Sequence, residues 1–335
     1  MTISVLAPYP FSLRQLQYAV AVAAALSFRR AAALCHVSQP SLSTQLAQLE
    51  EGLGVRLFER DRRRVLVTAP GKELLDRARS LLVETDDLMT AAKRVGNPLA
   101  GTLRIGVIPT ISPYLLPSAT PAIRANYPQQ TTVWVEDKTA VLLAALEAGA
   151  LDAALVALEA EIGNVEHETV ADDPFVLATR LDDPLGRRSA PAKLEELRHA
   201  RVLLLDDGHC FRDQALAYCS GAKAQELGFR ATSLSTLAQM VAGGAGVTLL
   251  PQLAVATEAQ RAGLRIRAFA RPTPHRTIVL VWRRRSPLAT ALRELARTIR
   301  DAYPKAAKRH LRRALARDPS KGFPATRTRS REGYP

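Results

Sequence analysis

Cysteine is nearly absent: there are three in 335 residues, too few for the disulfide framework of a small secreted domain. Long apolar runs are missing too. No stretch approaches the roughly eighteen apolar residues that a membrane-spanning helix needs. The opening residues, MTISVLAPYPFSLRQL, lack a basic segment followed by an apolar one and a small-residue cleavage site, so no secretory leader is expected. These absences point to the cytoplasm, where a disulfide is transient or sensory rather than structural. Acidic residues are in deficit, 32 against 46 Lys plus Arg, but the imbalance is uneven. Residues 1–100 carry 13 basic and 9 acidic groups, residues 101–302 carry 23 and 21, and residues 303–335 carry 10 and 2. Most of the excess sits in the last segment, so overall basicity alone says little about a nucleic-acid partner. No metal or cofactor is expected, and the length fits two or three domains with sizeable cores.

The first hundred residues carry a clearer pattern. Leu13, Leu16, Val20 and Ala24 recur at helical spacing and predict a helix over about 12–25. Ser27 is placed to cap a second helix over 28–35, and Ser38 a third that opens on Gln39 and Pro40, where proline is tolerated. Two short helices joined by a tight turn make a helix-turn-helix. The third helix has Leu42, Leu46 and Leu49 on one side. Near its start it offers Ser38, Gln39, Pro40, Ser41, Ser43, Thr44 and Gln45, small polar and amide groups suited to base edges and phosphates in a major groove. Two short apolar strands then flank Arg60, Arg62 and Arg63, a basic wing. With Arg29 and Arg30 at the head of helix two, these are the expected phosphate contacts. Double-stranded DNA is the predicted partner.

From 69 to about 95, Leu74, Leu81 and Leu88 lead a heptad seam, which predicts a long dimerising linker helix. A homodimer would present two recognition helices to a pseudo-palindromic site. A glycine- and proline-bearing stretch, 96–101, reads as a hinge. Beyond it strands alternate with helices, implying a mostly parallel sheet whose ligands sit beyond the carboxyl ends of its strands. Thr110 and Thr139 fall at such ends, as caps or as ligand contacts. Ser112 is read as the cap of a helix reaching Tyr127. The expected fold is α+β and multidomain. Winged helix-turn-helix residues 11–68 lead to a linker helix and hinge over 69–101. A two-lobed α/β regulatory domain of the periplasmic-binding-protein kind follows, with lobe I over 102–172 and 276–303 and lobe II over 173–275. Residues 304–335 read as a basic, mostly disordered tail.

Two of the three cysteines lie in one stretch, 205–219, LDDGHCFRDQALAYC. An apolar run, 201–205, delivers the chain to it as a buried strand. His209 and Arg212 flank Cys210 and are residue types that lower a thiol pKa toward neutrality. The segment is rich in helix formers, and nine residues of helix span about 13–14 Å. A disulfide needs Cα atoms about 4.4–6.8 Å apart, so joining Cys210 to Cys219 requires the backbone to be rebuilt. Two readings stay open at this point: ordinary half-buried cysteines, or a redox switch. Cys35, on the apolar side of helix two, reads as core.

The order of domains, with Phe28-Arg-Arg-Ala-Ala32, Val37-Ser-Gln-Pro-Ser-Leu-Ser43, Leu49-Glu-Glu-Gly-Leu-Gly-Val55 and Thr68-Ala-Pro-Gly71, resembles the LysR-type transcriptional regulators. Ile105-Gly-Val-Ile-Pro-Thr110, Asp207-Gly-His-Cys-Phe-Arg-Asp-Gln214 with Cys219, and Val247-Thr-Leu-Leu-Pro251 are similar to the peroxide-sensing OxyR branch of that family. The resemblance implies that Cys210 is the peroxide-reactive thiol and Cys219 its resolving partner. It implies that Thr110, Thr139, Gly208 and His209 place the peroxide, while Arg212 and Asp213 organise the segment. It also implies a homotetramer that works with RNA polymerase and is reset by thiol reductants. In this sequence His275-Arg276 stands where two arginines are expected. Two other readings compete: a LysR-type regulator of a small metabolite bound between the lobes, and a thiol peroxidase, which would leave residues 1–68 without a purpose.

Overall fold

The computed structural model describes residues 9–60, 65–93, 101–207, 210–220 and 225–316. Helices α1 (Leu13–Ala25), α2 (Phe28–Leu34) and α3 (Gln39–Leu53) come first. They start where a serine hydroxyl can accept an otherwise unpaired first-turn amide: Ser12 from Gln15, Ser27 from Arg30 and Ser38 from Ser41. Ala19, Val22, Ala31, Leu42, Leu46 and Leu49 form a dry core between them. The wing strands β1 (Phe58–Arg60) and β2 (Val65–Val67) pair antiparallel. Glu50 of α3 fixes their start by accepting the Leu57 and Phe58 amides at 2.8 and 3.2 Å. Helix α4 (Ala69–Lys93) then closes the core with Leu75 and Ala78. Gly71 lets it do so, because a Cβ there would lie 2.4 Å from the Leu57 carbonyl oxygen.

Lobe I opens with β3 (Gly101–Val107), α5 (Ser112–Asn126), β4 (Gln130–Glu136), α6 (Thr139–Glu147) and β5 (Ala153–Ala157). Strand β6 (Val165–Thr179) passes into lobe II. There follow α7 (Pro184–Arg187), a 3-10 turn (Leu194–Leu197), β7 (Arg201–Leu205), α8 (Cys210–Ser220), β8 (Gln225–Ala231), α9 (Leu234–Ala242), β9 (Thr248–Pro251), α10 (Gln252–Ala262) and β10 (Arg265–Ala268). Strand β11 (His275–Arg283) and helix α11 (Ala289–Ala316) return to lobe I. The sheet order is β10-β6-β11-β5-β3-β4, with β9 also on β6. Strand β7 pairs with β8 and meets Val247 through an isolated parallel bridge. Arg283 of β11 donates to Asp87 of α4 at 2.6 Å, tying linker helix to lobe I.

Several expectations are corrected. The sheet is mixed rather than mostly parallel: β3 runs parallel to β4 and β5, but β11 is antiparallel to both β5 and β6. A strand that returns from a distant part of the chain can enter either way, and alternation of element types is blind to that choice. The lobe boundary at 172/173 falls inside β6, whose first part pairs with β11 and whose last residues pair with β9 and β10. Ser112 is not a cap; Ile111 holds that position and Ser112 is already helical, because the Ser112 amide donates to Ile108 O. Helix α10 has no counterpart among the expected elements. Helix α11 runs on to Ala316, through the first part of the segment read as a disordered tail, because alanine, leucine, lysine and arginine are good helix formers even where charge is dense. The 96–100 part of the expected hinge and residues 317–335 lie outside the described residues.

Candidate functional site

Strand β7 has Val202–Leu205 buried and ends at Asp206 and Asp207; Gly208 and His209 lie outside the described residues. Helix α8 begins at Cys210 and continues through Cys219 to Ser220. The two cysteines thus occupy opposite ends of one unbroken helix, about 13–14 Å apart at 1.5 Å per residue. At that separation along a helix the pair is too far apart for a disulfide, which needs Cα atoms about 4.4–6.8 Å apart. The side chains of Cys210, Asp213 and Cys219 lie outside the described residues. Phe211 is buried and meets Phe175 of β6 edge-on, ring centroids 5.1 Å apart. Arg212 is buried as well, with Nε 2.9 Å from Asp207 Oδ1 and Nη1 donating to Leu205 O at 3.3 Å. It folds back over the start of its own helix and clamps the lead-in.

Arg276, at the head of β11, has no exposed surface and stands under this segment. It donates from Nη1 to Thr110 Oγ1 at 2.7 Å and from Nη2 to Thr110 O at 3.0 Å. Nε and Nη2 reach Asp173 Oδ2 at 3.0 and 2.9 Å, and the guanidinium lies 6.0 Å from the Phe211 ring centroid. Asp173, also fully buried, accepts the Leu253 amide at the start of α10 and a hydrogen bond from Tyr303. Burial, then the Asp173 charge, pushes the Tyr303 hydroxyl well above its usual range. A fully buried ion pair persists only when its spare donors and acceptors are satisfied, and both members here meet that condition. Sequence reasoning missed Asp173 entirely and placed doubt on His275, whose exposed ring faces only Thr273 O at 3.3 Å.

The two threonines behave differently. Arg276 occupies one lone pair of Thr110 Oγ1, which leaves the hydroxyl hydrogen and a second lone pair to offer a ligand. Thr139 is the first residue of α6, caps nothing, and is buried with its Oγ1 lacking any partner among the described residues. Both follow neighbouring parallel strands, β3 and β4, at their carboxyl ends. Beside Thr139, Lys138 Nζ donates to Asp207 O across the lobes at 2.8 Å. A second crossing joins Gln214 Nε2 to Glu159 Oε2 at 3.3 Å. A third joins Tyr114 of α5 to Glu258 of α10 at 2.8 Å; burial and the Glu258 charge hold the Tyr114 proton far above its usual range. None of these crossings is local in sequence, so spacing gives no hint of them.

Of the residues expected to meet DNA, Arg29, Arg30, Ser38, Gln39, Pro40, Ser41 and Thr44 are exposed, and Ser43 and Gln45 are half-buried. Ser38 is engaged as a cap, Thr44 donates to Pro40 O at 3.0 Å, and Arg30 donates to Ala25 O at 2.6 Å. The Arg60 side chain, Arg62 and Arg63 lie outside the described residues. Of the seam, Leu74 is half-buried against its own domain, whereas Leu81 and Leu88 are 50% and 69% exposed. Cys35 is half-buried at the end of α2, and burial raises its thiol pKa. Among the described residues no cluster of His, Cys, Asp or Glu is arranged to hold a metal, and no helix is long and apolar enough to cross a membrane.

Residues 13–72 match the bacterial regulatory helix-turn-helix protein, lysR family, and residues 96–304 match the LysR substrate binding domain. Over 290 residues the chain is 44% identical to the DNA-binding transcriptional dual regulator OxyR of Escherichia coli K12, covering 86% of this chain and 95% of that one. The chain belongs to the OxyR branch of the LysR family. Among solved structures, a full-length cysteine-to-aspartate variant of OxyR from Pseudomonas aeruginosa is 35% identical with a TM-score of 0.70, covering 87% of this chain and 95% of that one. A cysteine-to-serine variant of Corynebacterium glutamicum OxyR with hydrogen peroxide bound is 37% identical with a TM-score of 0.62, covering 89% and 94%. The two family matches together span most of residues 13–304. The basic segment after that residue lies outside both family matches.

Proposed function

We propose that this OxyR-branch transcription regulator senses hydrogen peroxide through a reversible disulfide between Cys210 and Cys219. The observation that carries the reading is the single helix α8 with a cysteine at each end, because closing the disulfide must unwind it. The Cys210 thiolate attacks one peroxide oxygen; an S–O bond forms, the O–O bond breaks, and the departing hydroxide takes a proton to leave as water. Cys219 sulfur then attacks the sulfenic sulfur, and the hydroxyl group departs with a proton as a second water. Thr110 donates its hydroxyl hydrogen, and Thr139 offers a buried hydroxyl otherwise unpaired. Gly208 and His209 shape the approach, and Arg212 and Asp213 organise the segment. The relative with peroxide bound supports this choice of effector.

Unwinding α8 changes the surface of lobe II, and the protein converts that change into a new spacing of recognition helices on a pseudo-palindromic site. Leu81 and Leu88, exposed on α4, are the seam of the homodimer, and two dimers make the tetramer that meets RNA polymerase. The protein works in the cytoplasm, where thioredoxin- or glutaredoxin-type dithiols reset the switch. Non-reducing peptide mapping of peroxide-treated protein is expected to give a Cys210–Cys219 crosslink, and Cys210→Ser is expected to abolish the redox change in the operator footprint. A footprint that responds to peroxide equally well in Cys210→Ser would sink the reading.

A further inference from the structure

Glu159 and Gln214, we infer, are positioning residues that set how readily the proposed disulfide forms, by strapping helix α8 to lobe I in its dithiol state. Given that disulfide chemistry, the geometry is specific. Glu159 follows β5, and its Oε1 accepts the Thr277 amide of β11 at 2.6 Å. That bond fixes the carboxylate and turns Oε2 toward α8, where Gln214 Nε2 donates to it at 3.3 Å. Gln214 is half-buried, and its own carbonyl has no partner among the described residues. The amide is therefore held by Glu159.

Gln214 is four residues beyond Cys210, so the two share a face of the helix, and it lies near the middle of the segment joining the cysteines. On the other side of Cys210, Lys138 Nζ grips Asp207 O at 2.8 Å. Lobe I thus holds the lead-in and the second turn of α8 at once. Bringing Cys219 to Cys210 displaces Gln214, so the Glu159 contact belongs to the dithiol state alone. An interaction made in only one of two states biases the equilibrium by its own strength. Weakening the strap favours the disulfide; replacing it with repulsion favours it more.

The test is a thiol-disulfide titration of the full-length chain in graded glutathione buffers, quenched with acid and read by mass after alkylation. Gln214→Glu, which sets two carboxylates against each other, is expected to reach half-oxidation at a five- to tenfold lower oxidised-to-reduced poise, about 20–30 mV more negative at roughly 30 mV per tenfold. Gln214→Ala should move the same way by about two- to threefold, the scale of a partly exposed hydrogen bond. Glu159→Gln keeps its carbonyl as acceptor for the Thr277 amide and turns its NH2 toward α8, where the Gln214 carboxamide can rotate to accept with its own carbonyl, so the midpoint should stay within about twofold of the parent. Pairing it with Gln214→Glu should restore the parent midpoint, because the two side chains have then exchanged roles: an amide on lobe I donates to a carboxylate on α8. Operator affinity of the fully reduced proteins should not change. Midpoints for Gln214→Glu and Gln214→Ala that coincide with the parent's, or a double variant that fails to restore, would overturn the strap. If the parent forms no Cys210–Cys219 bond at any poise, the sensing chemistry itself fails and takes the strap with it. That outcome appears in the unsubstituted chain and so is told apart.

Discussion

A buried hydroxyl that makes no hydrogen bond costs about 1–3 kcal/mol against a satisfied one, and Thr139 Oγ1 has no partner among the described residues. Thr139→Val should therefore leave thermal stability unchanged or raise it slightly. If the hydroxyl serves peroxide, the same substitution should slow thiol oxidation by up to about a hundred- to a thousandfold, the usual effect of losing one preorganised donor. Stopped-flow consumption of peroxide beside a melting curve separates the two effects; a melting point that drops while the rate holds would mean Thr139 is structural. Thr110 differs, because its oxygen already serves Arg276. Both threonines were legible as strand-end residues, Thr110 within a recognisable motif. Asp173 was not, nor was its pairing with Arg276. They lie 103 residues apart, and Thr110 lies 166 residues from Arg276. Each charge looks like an ordinary surface residue until the fold brings its partner.

Among elements, the 3-10 turn at Leu194–Leu197 is fastened to β10 by Glu196. Arg267 donates to both its oxygens, and the Lys193 amide and Arg188 add to the hold. Burial alone would raise this carboxyl, but those partners outweigh it and hold the pKa below the usual value. A lowered folded-state pKa gives stability that is present above the unfolded value of about 4.3 and lost as pH falls through the folded one. Glu196→Gln should lower the melting temperature at pH 7 by roughly 2–4 °C, about 1 kcal/mol for a unit this size. The gap to the parent should close in acid; a gap that persists undiminished below pH ~3 would contradict the ionic account. Element starts were legible where the cap is local, as at Ser27 and Ser38. Helix α10 escaped because no side chain caps its start, where Pro251 stands. A first-turn amide, that of Leu253, is moreover satisfied by Asp173, eighty positions away in sequence.

For the whole molecule, the domain order was legible because each unit has its own period: helical, then heptad, then alternating strand and helix. Strand direction was not, and neither was the sharing of β6 by both lobes, since both depend on where β11 returns. The charge map carries a further expectation. Residues 304–335 hold ten of the 46 basic groups and two of the 32 acidic ones. Ending the chain after Tyr303 keeps Leu292, Leu295, Ile299 and Tyr303 in the core. It should weaken binding to random duplex DNA at low salt, with the slope of log affinity against log salt falling by about 0.9 for each phosphate no longer neutralised. An unchanged slope in fluorescence anisotropy would show the segment to be electrostatically idle. Helix α8 has a consequence of a different kind. Because both cysteines ride on one eleven-residue element, the second thiol is supplied by the chain itself at an effective concentration that dilution does not alter. Closing so short a loop takes about 10–100 ns once the helix opens. The pace of the response is then set by how much oxidant arrives, and a cell holding a handful of copies reacts as promptly as one holding thousands.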